Sequence, residues 1–128
     1  GTSTAAVASP DGGTLFAVFG PGRAVWEIPF GKGAASGGPE PYCPLRLRPG
    51  EKSLAVTALT VDTAGRVYAA TPDGIQVFDP TGRLSGVLAL PATGEVTHLG
   101  WDGEKRDRLA VWVGGRQYTR PMAVTGVK

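Results

Sequence analysis

The sequence predicts an all-β chain folded as about three four-stranded antiparallel blades of a β-propeller. Three observations predict it. Short runs rich in Val, Leu and aromatic residues show period-2 alternation, and no segment sustains the i, i+3, i+4 spacing of a helix over about ten residues. Gly (20) and Pro (11) make up about a quarter of the 128 residues while 41% are apolar, so turns between many short strands account for them better than disorder does. The turns themselves recur. Asp11, Asp62 and Asp102 lie about 50 and 40 residues apart, which is blade spacing, and Gly12, Gly65 and Gly103 follow them to supply the positive φ of a tight turn.

In chain order, the first copy of this repeat is 6–30 (AVASPDGGTLFAVFGPGRAVWEIPF): an apolar strand, an Asp turn, a second apolar strand, a Gly turn and a third strand. Residues 31–41 (GKGAASGGPEP) are too poor in apolar side chains to bury anything and read as a flexible surface excursion. At 42–48 (YCPLRLR), Leu45 and Leu47 alternate with Arg46 and Arg48, as expected of an outer strand with one wet face. The second copy, 59–80 (LTVDTAGRVYAATPDGIQVFDP), is followed by its own outer strand at 83–90 (RLSGVLAL). The third, 98–122 (HLGWDGEKRDRLAVWVGGRQYTRPM), has no evident outer strand. The expected blades are therefore about 4–48, 54–91 and 95–125, with roughly eleven strands in all.

Composition narrows the function classes. A net charge of +2 with both signs interspersed predicts neither a nucleic-acid nor a membrane partner. One cysteine, Cys43, cannot close an internal disulfide, so the fold does not depend on an oxidising compartment; no acid, base or second thiol flanks it, and it reads as a strand residue. No signal peptide and no apolar run near ~20 residues is present, so the expected chain is soluble, whether cytoplasmic or exported. Gly1 ahead of Thr-Ser-Thr resembles a protease-cleavage scar, which puts the expected native start at Thr2.

Few residues suggest chemistry. His98 lies in the innermost strand of the third copy without a second His or a carboxylate pair; strict alternation sets Val96 and His98 on one face and Thr97 and Leu99 on the other, and a packed or partly exposed histidine is the default. Asp62, Asp73, Asp79 and Asp102 each sit in a Gly- or Pro-containing turn, where a carboxylate bonds nearby backbone N–H groups. Trp26, Trp101, Trp112, Tyr42, Tyr68 and Tyr118 fall mostly within strands and are expected to pack between blades, with a sugar-stacking surface as the minor alternative.

The stretch 61–83 (VDTAGRVYAATPDGIQVFDPTGR) resembles the C-terminal blades of the senescence-marker-protein/gluconolactonase family. Its D-x-x-G turn, the A-T pair ending a strand, the glycine turn and V-F-D-P-x-G-R carry the likeness, with 96–118 similar to the last blade and 9–19 to the blade before these two. The resemblance implies half of a six-bladed ring, completed by a missing N-terminal half or by a second copy in a homodimer. It further implies lactone hydrolysis assisted by Ca²⁺ or Zn²⁺ in the central channel, where oxygen ligands hold an ion that polarises the carbonyl and a carboxylate moves the proton.

In that family the ligands come from innermost strands, which here begin near Thr4, Thr57 and Thr97; with His98 these are the candidate axial residues. The matching positions depart from the pattern. Thr4 stands where the family places Asn, Thr57 where it places Asp, and Gly20 where an Asp ends the second strand. Hydroxyls are weak neutral ligands and glycine moves no proton. The expectation is a gluconolactonase-like segment with a degenerate metal site and no catalytic residue of its own, needing no cofactor and acting as a scaffold or binding module. The alternative is part of a metal-dependent lactone hydrolase whose remaining residues lie elsewhere, with Ca²⁺ or Zn²⁺ bound if the family site survives.

Overall fold

Turns cut the chain into strands no longer than eight residues. The computed structural model describes residues 4–31, 34–35 and 37–126. Among these described residues twelve strands form three antiparallel sheets, with no helix. The first sheet contains β1 (Thr4–Ala8), β2 (Thr14–Phe19), β3 (Ala24–Gly31) and β5 (Glu40–Pro44), with a two-residue strand β4 (Ala34–Ala35) also paired to β3. The second contains β6 (Ala58–Val61), β7 (Val67–Thr71), β8 (Gly74–Phe78) and β9 (Leu84–Leu88) in that order. The third is β10 (Val96–Asp102), β11 (Arg108–Val113) and β12 (Arg116–Pro121).

Each sheet is a meander, and the Asp turns join its first two strands. Gly12, Gly65 and Gly103 hold φ of 74°, 89° and 89° there, a left-handed backbone that side chains disfavour. β6 lies between β1 and β10, so the first strands of the three sheets run side by side, as inner strands do around a propeller axis.

Two apolar clusters glue the sheets together. Phe16, Val18, Val25 and Cys43 of the first sheet meet Val61, Val67 and Phe78 of the second. Tyr68, Ile75 and Val77 from the other face of the second sheet meet Leu99, Leu109 and Val111 of the third. Every residue of β7 and β8 is therefore buried, which explains why VYAAT and GIQVF read as continuous rather than alternating runs. Each fully buried Val, Leu or Phe contributes about 1.5–3 kcal/mol. The end sheets each keep one open face, and Phe19, 54% exposed, marks that of the first.

Two expectations about strands need correction. The excursion at 31–41 contains β4, whose Ala34 and Ala35 pair with Gly31 and Phe30, so part of it is a hairpin. The outer strand expected at 42–48 runs instead over Glu40–Pro44. Beyond Pro44 the backbone of Arg46 is engaged by a side chain: its N–H donates to Gln76 Oε1 and its C=O accepts from Gln76 Nε2, both at 2.9 Å. Leu45 is still buried, its N–H donating to Arg23 C=O at 2.9 Å, and Leu47 is half-buried, so the apolar alternation holds past the end of β5. In a homodimer the outer strand missing from the third copy is expected from residues near Thr2 of the second copy, and those residues fall outside the described ones.

Candidate functional site

The inner end of the second sheet opens into a groove. Thr57 immediately precedes β6, anchored by its N–H donating to Ala70 C=O at 3.0 Å. It lines an open groove of about 710 Å³ with Thr71, Thr93 and Glu95, over an apolar floor that includes Leu90 and Val96. Thr71 is already engaged, since its hydroxyl donates to Gly74 C=O at 2.7 Å and accepts from Asp73 N–H at 3.2 Å. The groups facing the groove for other use are the hydroxyls of Thr57 and Thr93 and one carboxylate.

That donor set does not fit the family's metal. Calcium takes six to eight oxygens and depends on carboxylates, while zinc takes His, Cys or carboxylate ligands in tetrahedral geometry. Among the described residues no three His, Cys, Asp or Glu side chains gather where they could hold an ion. Glu95, Thr71 and Thr93 were not singled out from the sequence. Thr93 and Glu95 lie in the loop P-A-T-G-E-V at 91–96, which carries no recognisable motif.

His98 lies in a different groove, of about 440 Å³, that crosses all three inner strands through Ala6 and Val7, Leu59 and Thr60, and Leu99 to Trp101. The alternation assumed for this strand fails. Val96 pairs with Val113 and His98 with Trp112, which leaves Thr97 as a bulge. The extra residue turns Val96 and Leu99 inward together while Thr97 and His98 are both exposed. The His98 ring lies over Gly100, where an added Cβ would come within 3.4 Å of Nε2.

The other candidate positions are dispersed. Thr97 Oγ1 donates to Trp112 C=O at 3.4 Å, and of Thr4 only the backbone, at the start of β1, is described. Gly20 follows β2 with φ of 74° and is buried, so glycine here serves the backbone.

The best-connected polar group is Asp62, whose side chain is wholly buried. Its Oδ1 accepts the N–H groups of Ala64 at 2.9 Å and Arg66 at 3.0 Å, and its Oδ2 accepts Tyr68 O–H at 2.9 Å and Arg66 Nη1 at 3.2 Å. Burial and then this carboxylate push the Tyr68 phenol well above its ordinary value. Trp101 meets the Tyr68 ring edge-on at 5.4 Å and donates Nε1–H to Val61 C=O at 2.9 Å. Residues 125–126 dock on the same turn, Thr63 N–H donating to Thr125 C=O at 2.8 Å. These contacts stitch the third sheet to the second, and every group in them is occupied.

The remaining turn carboxylates are likewise engaged. Asp73 pairs with Arg48, and Asp79 accepts Thr81 N–H at 2.8 Å; hydrogen bonds from Arg48 and Thr81 hold these carboxyls below the usual range. Asp102 only receives Gln117 Nε2–H at 3.4 Å. Cys43 is buried, and burial pushes its thiol up to about 12, which leaves no thiolate at neutral pH.

The sequence pattern of the SMP-30/gluconolactonase/LRE-like region matches residues 1–114. No curated protein matches the chain. Among solved structures, a calcium-binding protein, regucalcin, from Agrobacterium tumefaciens superimposes with a TM-score of 0.79 at 19% identity, over 98% of this chain and 47% of its own. A luciferin-regenerating enzyme gives 0.74 at 16% identity, over 98% and 46%. A gluconolactonase from Xanthomonas campestris gives 0.70 at 20% identity, over 94% and 37%. The fold is thus that of the gluconolactonase-type propellers, and the chain spans less than half the length of each of these structures.

Proposed function

Because the chain belongs to the SMP-30/gluconolactonase/LRE-like family, we propose that it is a propeller segment whose metal-site positions have degenerated, serving as a scaffold or binding module rather than as a lactone hydrolase. The observation that carries this reading is the groove at Thr57, which offers hydroxyls and the single carboxylate of Glu95 where the family's chemistry calls for a charged oxygen cage. A lone carboxylate neither neutralises a divalent ion nor leaves a second to move a proton. The groove suits a neutral ligand that meets hydroxyls along one side and apolar surface along the floor.

Calorimetric titration with CaCl₂ and ZnCl₂, paired with a pH-stat assay of gluconolactone, tests this. The expected outcome is no saturable ion binding at millimolar affinity or better and no turnover above the uncatalysed rate. Saturable binding together with turnover would overturn it.

A second reading draws support from the chain covering only 37–47% of those structures: the residues belong to a metal-dependent hydrolase whose active groups lie in the other part of the ring. In either reading the open faces of the end sheets are covered by the N-terminal half of the ring or by a second copy of the chain. Light scattering separates these, since closure by a second copy gives twice the mass of the chain.

A further inference from the structure

Among the described residues Arg106 is the one non-glycine with a left-handed backbone, at φ of 52°. It lies in the turn between β10 and β11, where its N–H donates to Gly103 C=O at 3.2 Å and its C=O accepts Gly126 N–H at 2.7 Å. Glycine holds such a conformation without strain, as Gly103 does in the same turn. The chain instead keeps a long cationic side chain here against its backbone preference, and strain of this kind points to a duty for that side chain.

Arg106 and His98 line the same groove, of about 440 Å³. Thr57 and Val96 line the groove described above, whereas Leu59 and Leu99 line this one, so the two succeed one another along the inner strands as separate sites. Its apolar walls include Val7, Leu59, Leu99 and Trp101. Trp101 is fixed in place: its Nε1–H donates to Val61 C=O at 2.9 Å, and Gly126 lies so close to the ring that a side chain at 126 would overlap it. Because Gly126 also bonds Arg106, the aromatic wall and the backbone that carries the cation are tied together.

Charge selects the ligand. The ion pairs among the described residues are Arg48–Asp73 and Arg66–Asp62, so neither Glu104 nor Asp107 pairs with the neighbouring Arg106. No acidic residue is among those lining the groove. What it offers is one permanent positive charge with a forked set of donors, half-buried, and the exposed imidazole that the bulge at Thr97 turns outward over Gly100. We propose that this groove binds a small organic carboxylate, its anionic head on Arg106 and hydrogen-bonded to His98, its apolar body along Leu59, Leu99 and Trp101. A guanidinium meets a carboxylate through two parallel N–H···O bonds, and a partly buried pair is screened less by salt than an exposed one.

Metal binding and lactone turnover play no part in the test, so its outcome is separable from that of the functional reading above. Benzoate is the probe, titrated into the 128-residue protein and followed through backbone amide shifts in NMR. Saturable binding at millimolar affinity or better is expected, with shifts centred on residues 98–101 and Arg106. Benzamide, its neutral isostere, should bind at least about tenfold more weakly. Arg106→Gly relieves the left-handed strain, so its Tm should equal or exceed that of the wild type while its affinity for benzoate falls at least about tenfold. Arg106→Asn tolerates the same backbone and takes its place if the glycine variant does not fold. His98→Ala, at an exposed position, should weaken binding about threefold. No saturation at millimolar benzoate, equal binding of benzamide, unchanged affinity in the Arg106 variant, or shifts centred on the Thr57 groove would each overturn the proposal.

Discussion

Replacing Asp62 by Ala should destabilise the protein more than any other single turn substitution. Four hydrogen bonds end on this buried carboxylate, and their donors fare differently once it is removed. Tyr68 is 1% exposed, so its orphaned O–H cannot reach water and costs about 1–3 kcal/mol. Ala64 is exposed and Arg66 half-buried, so their N–H groups recover water and each bond contributes about 0.5–1.5 kcal/mol. Together the four give about 2.5–7.5 kcal/mol, a large share of the ~5–15 kcal/mol by which a domain is stable, and a fall in Tm of about 10 °C or more. Urea unfolding of Asp62→Ala, Tyr68→Phe and the double variant measures both the total and the coupling. Tyr68→Phe alone should cost about 1–2 kcal/mol, and adding it to Asp62→Ala should relieve the orphaned hydroxyl, giving a coupling of about 1–2 kcal/mol. A loss under about 1 kcal/mol for Asp62→Ala, or no coupling, would refute the view that this carboxylate organises the turn.

Gln76→Ala should cost about 2–3 kcal/mol, because both backbone groups of Arg46 lose their partner at once. Gln76→Glu keeps an acceptor for Arg46 N–H but sets a carboxylate oxygen against Arg46 C=O, so it should not restore wild-type stability; urea titration of the two variants checks this. Stability should also fall at high pH through Tyr68. Its phenol is held above its ordinary value near 10 by burial, so in the unfolded chain it ionises first. This contribution is complete below about pH 10 and is lost as pH rises beyond it, and Tyr68→Phe should flatten that slope in unfolding curves taken from about pH 9 upward.

How far the fold could be read from the chain depended on whether a feature is local. The Asp-Gly turns at 11–12, 62–65 and 102–103 are encoded by the residues that make them, so the hairpins and the three sheets were visible. The bulge at Thr97 was not, because a single extra residue in a strand leaves no mark in composition and a strict period of two conceals it. Gln76 was also missed. A glutamine inside an apolar run looks like a solvent-facing position until the loop 30 residues earlier is seen to bond it. The Thr57 groove collects Glu95 and Thr93 from another loop, a juxtaposition that only the packing of two sheets creates.

Enclosure of the middle sheet on both faces bears on the order of assembly. Its hairpins are local and form without long loop closure, yet its apolar surface is satisfied only when both neighbours have docked. Amides of β7 and β8 should therefore exchange with solvent only when the whole chain opens, while those of the outer strands β5 and β12 exchange through local fraying. The protection pattern would run from the centre outward along the ring, making the second sheet the template on which the other two mature.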